Sequence, residues 1–144
     1  MFADLLRRMT APAPDRIPDA DARLALGALL VRLARADGHY DPVEKDRIEA
    51  ILRCRYDLTD ASDLRLQCEG LEAEAPDTVR FTRAIKDAVD YEDRLGVIAA
   101  MWQIVLADGS RDAQEDSIMR MVAPMLGVTD QDSNAARRRI EGSA

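Results

Sequence analysis

Apolar residues recur three and four positions apart along most of the chain, the spacing of helices with one buried face. Phe2, Leu5, Leu6 and Met9 predict a short amphipathic helix over residues 2–9, ended by the three prolines of "TAPAPDRIP". The next helix starts after Pro18, with Asp19 or Asp21 as N-cap, and runs to about Ala36 on a stripe of Leu26, Leu29, Leu30 and Leu33. Gly38 stands where a helix end wants a residue that tolerates positive φ. Asp41, Pro42 and Glu44 then read as cap, first turn and capping-box partner of another helix, whose buried face is expected to hold Val43, Ile48, Ile51 and Leu52.

Thr59 is the expected cap of a helix carrying Leu64, Leu66, Cys68 and Leu71, which ends before Pro76. Asp77 opens another through Val79, Phe81, Ile85 and Val89. Asp90 caps the strongest stripe in the chain, Leu95, Ile98, Ala99, Trp102, Val105 and Leu106, which predicts the central core helix. Asp112 caps a helix bearing Ile118, Met121, Val122, Met125 and Leu126 that stops at Gly127, and Thr129 opens a last short one. Met119, Met121 and Met125 at helical spacing read as core filling rather than a soft-metal site.

Two corners are written alike. "RADGHYDPVE" at residues 35–44 returns as "LADGSRDAQE" at 106–115, and Asp108 − Asp37, Asp112 − Asp41 and Glu115 − Glu44 all equal 71. The repeat predicts two related helix-turn-helix hairpins packed with approximate twofold symmetry. The fold class that follows is all-α, one domain of about seven to eight helices, with residues 1–18 as an amphipathic arm and proline-rich linker and residues 19–144 as the helical domain.

Composition narrows the function classes. With 144 residues and 47% hydrophobic content, one packed core forms without need of a partner. A net charge of −7 and a sequence pI near 4.7 argue against a nucleic-acid binder, and Arg137-Arg138-Arg139, the nearest thing to a basic patch, reads as a solvated helix face beside Asp130, Asp132 and Glu141. Cys54 and Cys68 form no Cys-x-x-Cys pair, so they read as reduced, partly buried thiols. No stretch is apolar enough to span a bilayer and no long apolar leader begins the chain, which points to a cytoplasmic protein.

The chemistry to weigh is in the acidic corners. Asp41 with Glu44 and Asp112 with Glu115 are accounted for as caps, each worth about 1 kcal/mol. Asp37 and Asp108 are harder to absorb, because the last turn of a helix disfavours a carboxylate by about 0.3–1 kcal/mol; either they reach across the turn to the next helix start, or they serve a ligand. The functional reading gathers Asp37, Asp41 and Glu44 at one corner and Asp108, Asp112 and Glu115 at the other, oxygen donors suited to a divalent cation such as Ca²⁺ or Mg²⁺. Neither loop is an EF-hand, whose ligands spread over twelve residues, and Arg111 in place of Tyr40 makes the second corner the poorer cation site.

Paired "ADGxxDxxE" motifs, "LLVRLARADG" before one and "AAMWQIVLADG" before the other, together with the tail "EDSIMRMVAPMLGVTDQDSNAARRR", resemble the TerB tellurite-resistance family over about residues 20–140. The resemblance implies an all-α domain of about seven helices, an acidic surface that binds a divalent cation, and a role in tellurite resistance or envelope and phage stress, often beside membrane-linked protein partners. TerB-like domains also occur fused to DnaJ-type co-chaperones, whose J-domain motif is missing here. His39 and Tyr40 depart from the acidic and small aliphatic residues common after the glycine, and Arg111 departs at the second corner. Tellurite itself is an anion, ill suited to acidic corners. A non-enzymatic interaction module is the leading expectation; a metal-assisted hydrolase using the corners and a homo-oligomeric scaffold are the alternatives.

Overall fold

The computed structural model describes residues 19–36, 38–75, 77–107 and 113–142. Within them the chain forms seven helices and no strand: α1 (Asp19–Ala34), α2 (Pro42–Tyr56), α3 (Ser62–Glu74), α4 (Val79–Ala88), α5 (Tyr91–Val105), α6 (Ala113–Met125) and α7 (Asp130–Gly142). The all-α expectation holds. The arm over residues 1–18, and Asp37, Asp108, Arg111 and Asp112 at the corners, lie outside the described residues.

From Ala22 to Ala34 every residue except Arg23 and Arg32 is buried, so α1 is apolar all round rather than along one stripe. It packs against α2, α3, α4, α5 and α6, and is the central helix. The expectation had given that place to α5, which also lies deep through Val97, Ile98, Met101 and Val105. The difference comes from Ala22, Ala25, Gly27 and Ala28, small residues that add little to an apolar stripe but let neighbours approach closely. At the crossing of α1 and α3, a Cβ built on Gly27 would stand 2.1 Å from Cys68 Sγ, so only a hydrogen fits there. Cys68 is buried, and burial pushes its thiol up to about 12, while Cys54 is exposed.

Helix ends follow local chemistry. α1 stops at Ala34, two residues short of the expected end, and Gly38 takes φ 84°. α6 ends in a Schellman arrangement, with Val128 N–H donating to Ala123 O at 2.8 Å, Gly127 N–H to Pro124 O at 2.9 Å, and φ 74° at Gly127. α2 closes in the same way on Asp57 at φ 54°, a residue whose short polar side chain tolerates the left-handed region. Thr129 opens α7 as expected, its hydroxyl accepting from Asp132 N–H at 3.1 Å. Thr59 does not open α3: Asp60 accepts from Ser62 N–H at 2.8 Å and the helix starts at Ser62.

Four residues assigned to the core are exposed: Val43 at 67%, Leu66 at 55%, Met121 and Val79. Each shares its helix with buried residues that form the packed stripe beside it. Met119 alone of the three methionines is fully buried.

One cation ties three helices together. Arg32 donates from Nε to Glu72 Oε2 at 3.0 Å, from Nη2 to Glu72 O at 3.0 Å and Ala75 O at 2.8 Å, and from Nη1 to Thr78 Oγ1 at 3.3 Å. It therefore satisfies carbonyls at the C-terminus of α3 that the helix leaves unpaired, and it fixes the link into α4. Its guanidinium also lies 5.3 Å from the Phe81 ring centroid. Arg35 adds a second contact to Glu72 at 2.5 Å.

The repeat is structural. α1 and α5 end 71 residues apart (105 − 34), the spacing of the repeat in sequence.

Two outcomes are expected. Arg32→Met leaves Glu72 to Arg35 alone and two carbonyls unpartnered, and lowers unfolding free energy by about 3 kcal/mol in denaturant titration, with Glu72→Gln in the same chain giving back part of the loss. Gly27→Ala costs about 2 kcal/mol through overpacking, and Cys68→Ala in the same chain reduces that cost; strict additivity of the two would show that the close approach is not the cause.

Candidate functional site

The first corner is built by the end of α1, a short turn and the start of α2. Asp41 holds the N-cap with extended backbone (φ −83°, ψ 160°), Pro42 sets the first turn, and Asp41 N–H donates to Glu44 Oε1 at 3.2 Å. Asp41 is exposed and Glu44 half-buried, so both carboxylates stand at the surface where the positive end of α2 favours them. The capping expected of this pair is therefore present, and it occupies one oxygen of Glu44.

Tyr40, which departs from the pattern of the resembled family, fastens this corner to α3. Its hydroxyl donates to Glu69 Oε2 at 2.6 Å, and its ring centroid lies 4.9 Å from the Arg35 guanidinium and 5.1 Å from Lys45 Nζ. Glu69 in turn accepts from Arg65, and Arg65 Nε donates to Glu49 of α2 at 2.5 Å. The chain Tyr40, Glu69, Arg65, Glu49 thus joins turn, α3 and α2 in one hydrogen-bonded run. Burial, then the Glu69 carboxylate, pushes the Tyr40 phenol well above its ordinary value, so it remains a donor through neutral and moderately alkaline pH. Burial works to raise Glu69, but the bonds from Tyr40 and Arg65 outweigh it and hold the carboxyl below the ordinary range.

Of the six expected cation ligands, Asp41, Glu44 and Glu115 are described, and Asp37, Asp108 and Asp112 are not. Asp41 and Glu44 share one helix start. Glu115 lies in the first turn of α6 and is only 6% exposed, more deeply buried than its counterpart Glu44. Among the described residues no group of three or more His, Cys, Asp or Glu is placed to hold a metal ion; each expected set includes residues outside that part of the chain. His39 is an exposed turn residue.

The residues that organise the corner, Arg32, Arg35, Arg65, Glu69 and Glu72, carry no motif. Their one signal in sequence is Arg32 inside an apolar helix, with Arg35 just past its end. In α7 Arg137 is half-buried with its guanidinium 5.9 Å from the Trp102 ring, so it is not part of a solvated basic face, whereas Arg138 and Arg139 are exposed.

The network has a pH signature. Because Glu69 titrates lower in the folded chain than in the unfolded one, its stabilisation is complete above the ordinary glutamate value near 4.5 and is lost as pH falls through the folded value. Tyr40→Phe removes one hydrogen bond to Glu69, is expected to cost about 1 kcal/mol at neutral pH, and makes the loss of stability below pH 4.5 shallower. Thermal unfolding of both proteins between neutral and acid pH checks this; parallel curves would count against the coupling.

Among the described residues no helix is long and apolar enough to cross a membrane. Comparison with curated proteins and with solved structures found no match. The family model described as "Tellurite resistance protein TerB" matches residues 23–138, from the first buried turns of α1 to the last turn of α7. The match takes in both hairpins, both acidic corners and the Arg32 knot between them, and the chain belongs to the TerB family.

Proposed function

We propose that this TerB-family chain is a non-enzymatic interaction module of the tellurite and stress-response type. Its acidic corners bind a divalent cation, Ca²⁺ or Mg²⁺, and the bound ion stiffens a face that receives a protein partner, membrane-associated partners included. The observation that carries this reading is the first corner: two surface carboxylates, Asp41 and Glu44, on a turn already anchored to α3 through Tyr40 and Glu69. Carboxylate oxygens are the donors that hard cations require. A net charge of −7 raises the local concentration of cations around the chain. Asp37, three residues past the end of α1, supplies the third carboxylate of the set, and the second corner repeats it with Asp108, Asp112 and Glu115.

A pre-anchored turn loses little freedom when an ion binds, which favours affinity over that of a floppy acidic loop. The ion would also offset the repulsion among carboxylates crowded at one corner. Calorimetric titration with Ca²⁺, Mg²⁺, Mn²⁺ and Zn²⁺ tests the reading. Saturable heat and a rise in unfolding temperature are expected, both weakened about tenfold or more by Asp37→Ala or Glu44→Gln. No heat and no thermal shift at millimolar metal would reduce the corners to capping devices.

A further inference from the structure

A second feature lies away from the first corner. Between α5, α6 and α7 runs a cleft of about 420 Å³, within the range of small-ligand sites. Its floor is Trp102, Met119 and Ala123, all buried, and Arg120, Arg137, Asp116 and Asp130 stand in its walls. Trp102 Nε1 donates to Ser133 Oγ at 3.1 Å, which fixes the indole and satisfies its one polar atom.

Among the described residues neither Arg120 nor Arg137 forms an ion pair, although two aspartates share their cleft. Arg137 Nε is shielded from solvent and has no hydrogen-bond partner, a state that costs free energy until a partner arrives. Stacked near an indole, a guanidinium keeps its in-plane donors for a carboxylate. Asp116 and Asp130 balance the two cations, so a bare anion gains no net attraction from the cleft, least of all in a chain of charge −7. A ligand that carries both a carboxylate and N–H donors suits this mixed lining: Arg137 and Arg120 take the carboxylate, while Asp130 and the Asn134 amide take the donors.

We infer that this cleft binds a carboxylate carried on a hydrogen-bond-donating frame, the chemistry shared by an acidic peptide segment and a free acidic amino acid. The site is independent of the metal reading, since none of the residues named for it is a corner ligand.

Trp102 is the only tryptophan in the chain, so its fluorescence reports on this cleft. Full-length protein is titrated at constant ionic strength with free glutamate, with the peptide acetyl-Ala-Glu-Ala-amide, with its Gln counterpart and with acetate. A saturable change in the millimolar range or below is expected with the peptide, with glutamate, or with both, which identifies the source. The Gln counterpart and acetate bind at least about tenfold more weakly, and Arg137→Gln weakens the productive probe by about tenfold. Arg120→Gln, at an exposed position, gives the same weakening with an unchanged unfolding midpoint, so the test stands even where Arg137→Gln fails to fold. An equal response to the Gln peptide or acetate, an unaltered response in Arg120→Gln, or no saturation with either carboxylate probe overturns the inference.

Discussion

The structure depends on one guanidinium placed in a helix that is otherwise almost wholly enclosed. Arg32 is half-buried there, and a cation so largely withdrawn from water is tolerable only if its donors find acceptors. Arg32 meets that condition by taking the carbonyls that α3 cannot pair at its own C-terminus, together with Glu72 and Thr78. The same contacts settle where α3 ends, how the chain turns into α4, and which side of α1 faces them. Arg35 and Glu72 extend the arrangement toward the first corner, where Tyr40 lies beside Arg35 and continues it to Glu69, Arg65 and Glu49. The acidic turn is thus held at the end of a run of polar contacts that starts in the core.

That run belongs to one hairpin only. The long helices α1 and α5 end 71 residues apart, yet the same shift carries Arg32 onto Gln103, Arg35 onto Leu106 and Tyr40 onto Arg111. In the second copy the long helix α5 is fixed instead from α7, through Tyr91 on Asp132 at 2.5 Å and Trp102 on Ser133. Glu44 stands at the surface, while Glu115 at the equivalent place is buried. The repeat thus carries the order of long helix and following helix, while the side chains that support each copy differ, and α5 and α7 form a cleft.

Much of the fold was legible because its signals are local. Gly38 and Gly127 mark helix ends that need positive φ, Asp41, Asp90 and Thr129 stand at helix starts, and the repeat announces two hairpins, all within a few residues of chain. The misassigned positions share a cause. Val43, Leu66, Val79 and Met121 are apolar and correctly spaced, but spacing says only that one face is buried and not which of two adjacent stripes a neighbour will cover. The central helix was misplaced for a related reason, since alanine and glycine contribute close approach rather than hydrophobic bulk, and Gly27 against Cys68 is visible only when α3 is beside it.

The sequence by itself determined that this is an all-helical chain of two repeated hairpins, in the TerB pattern, with carboxylates gathered at its turns, because periodicity, caps and repeats act over one or two helical turns. Only the tertiary structure decided that Arg32 caps a helix forty residues away, that Tyr40 anchors the first corner to α3, and that Arg137 stacks near Trp102 instead of facing water. Those contacts join side chains far apart in the chain, and their energies depend on burial and geometry that no local pattern of residues encodes.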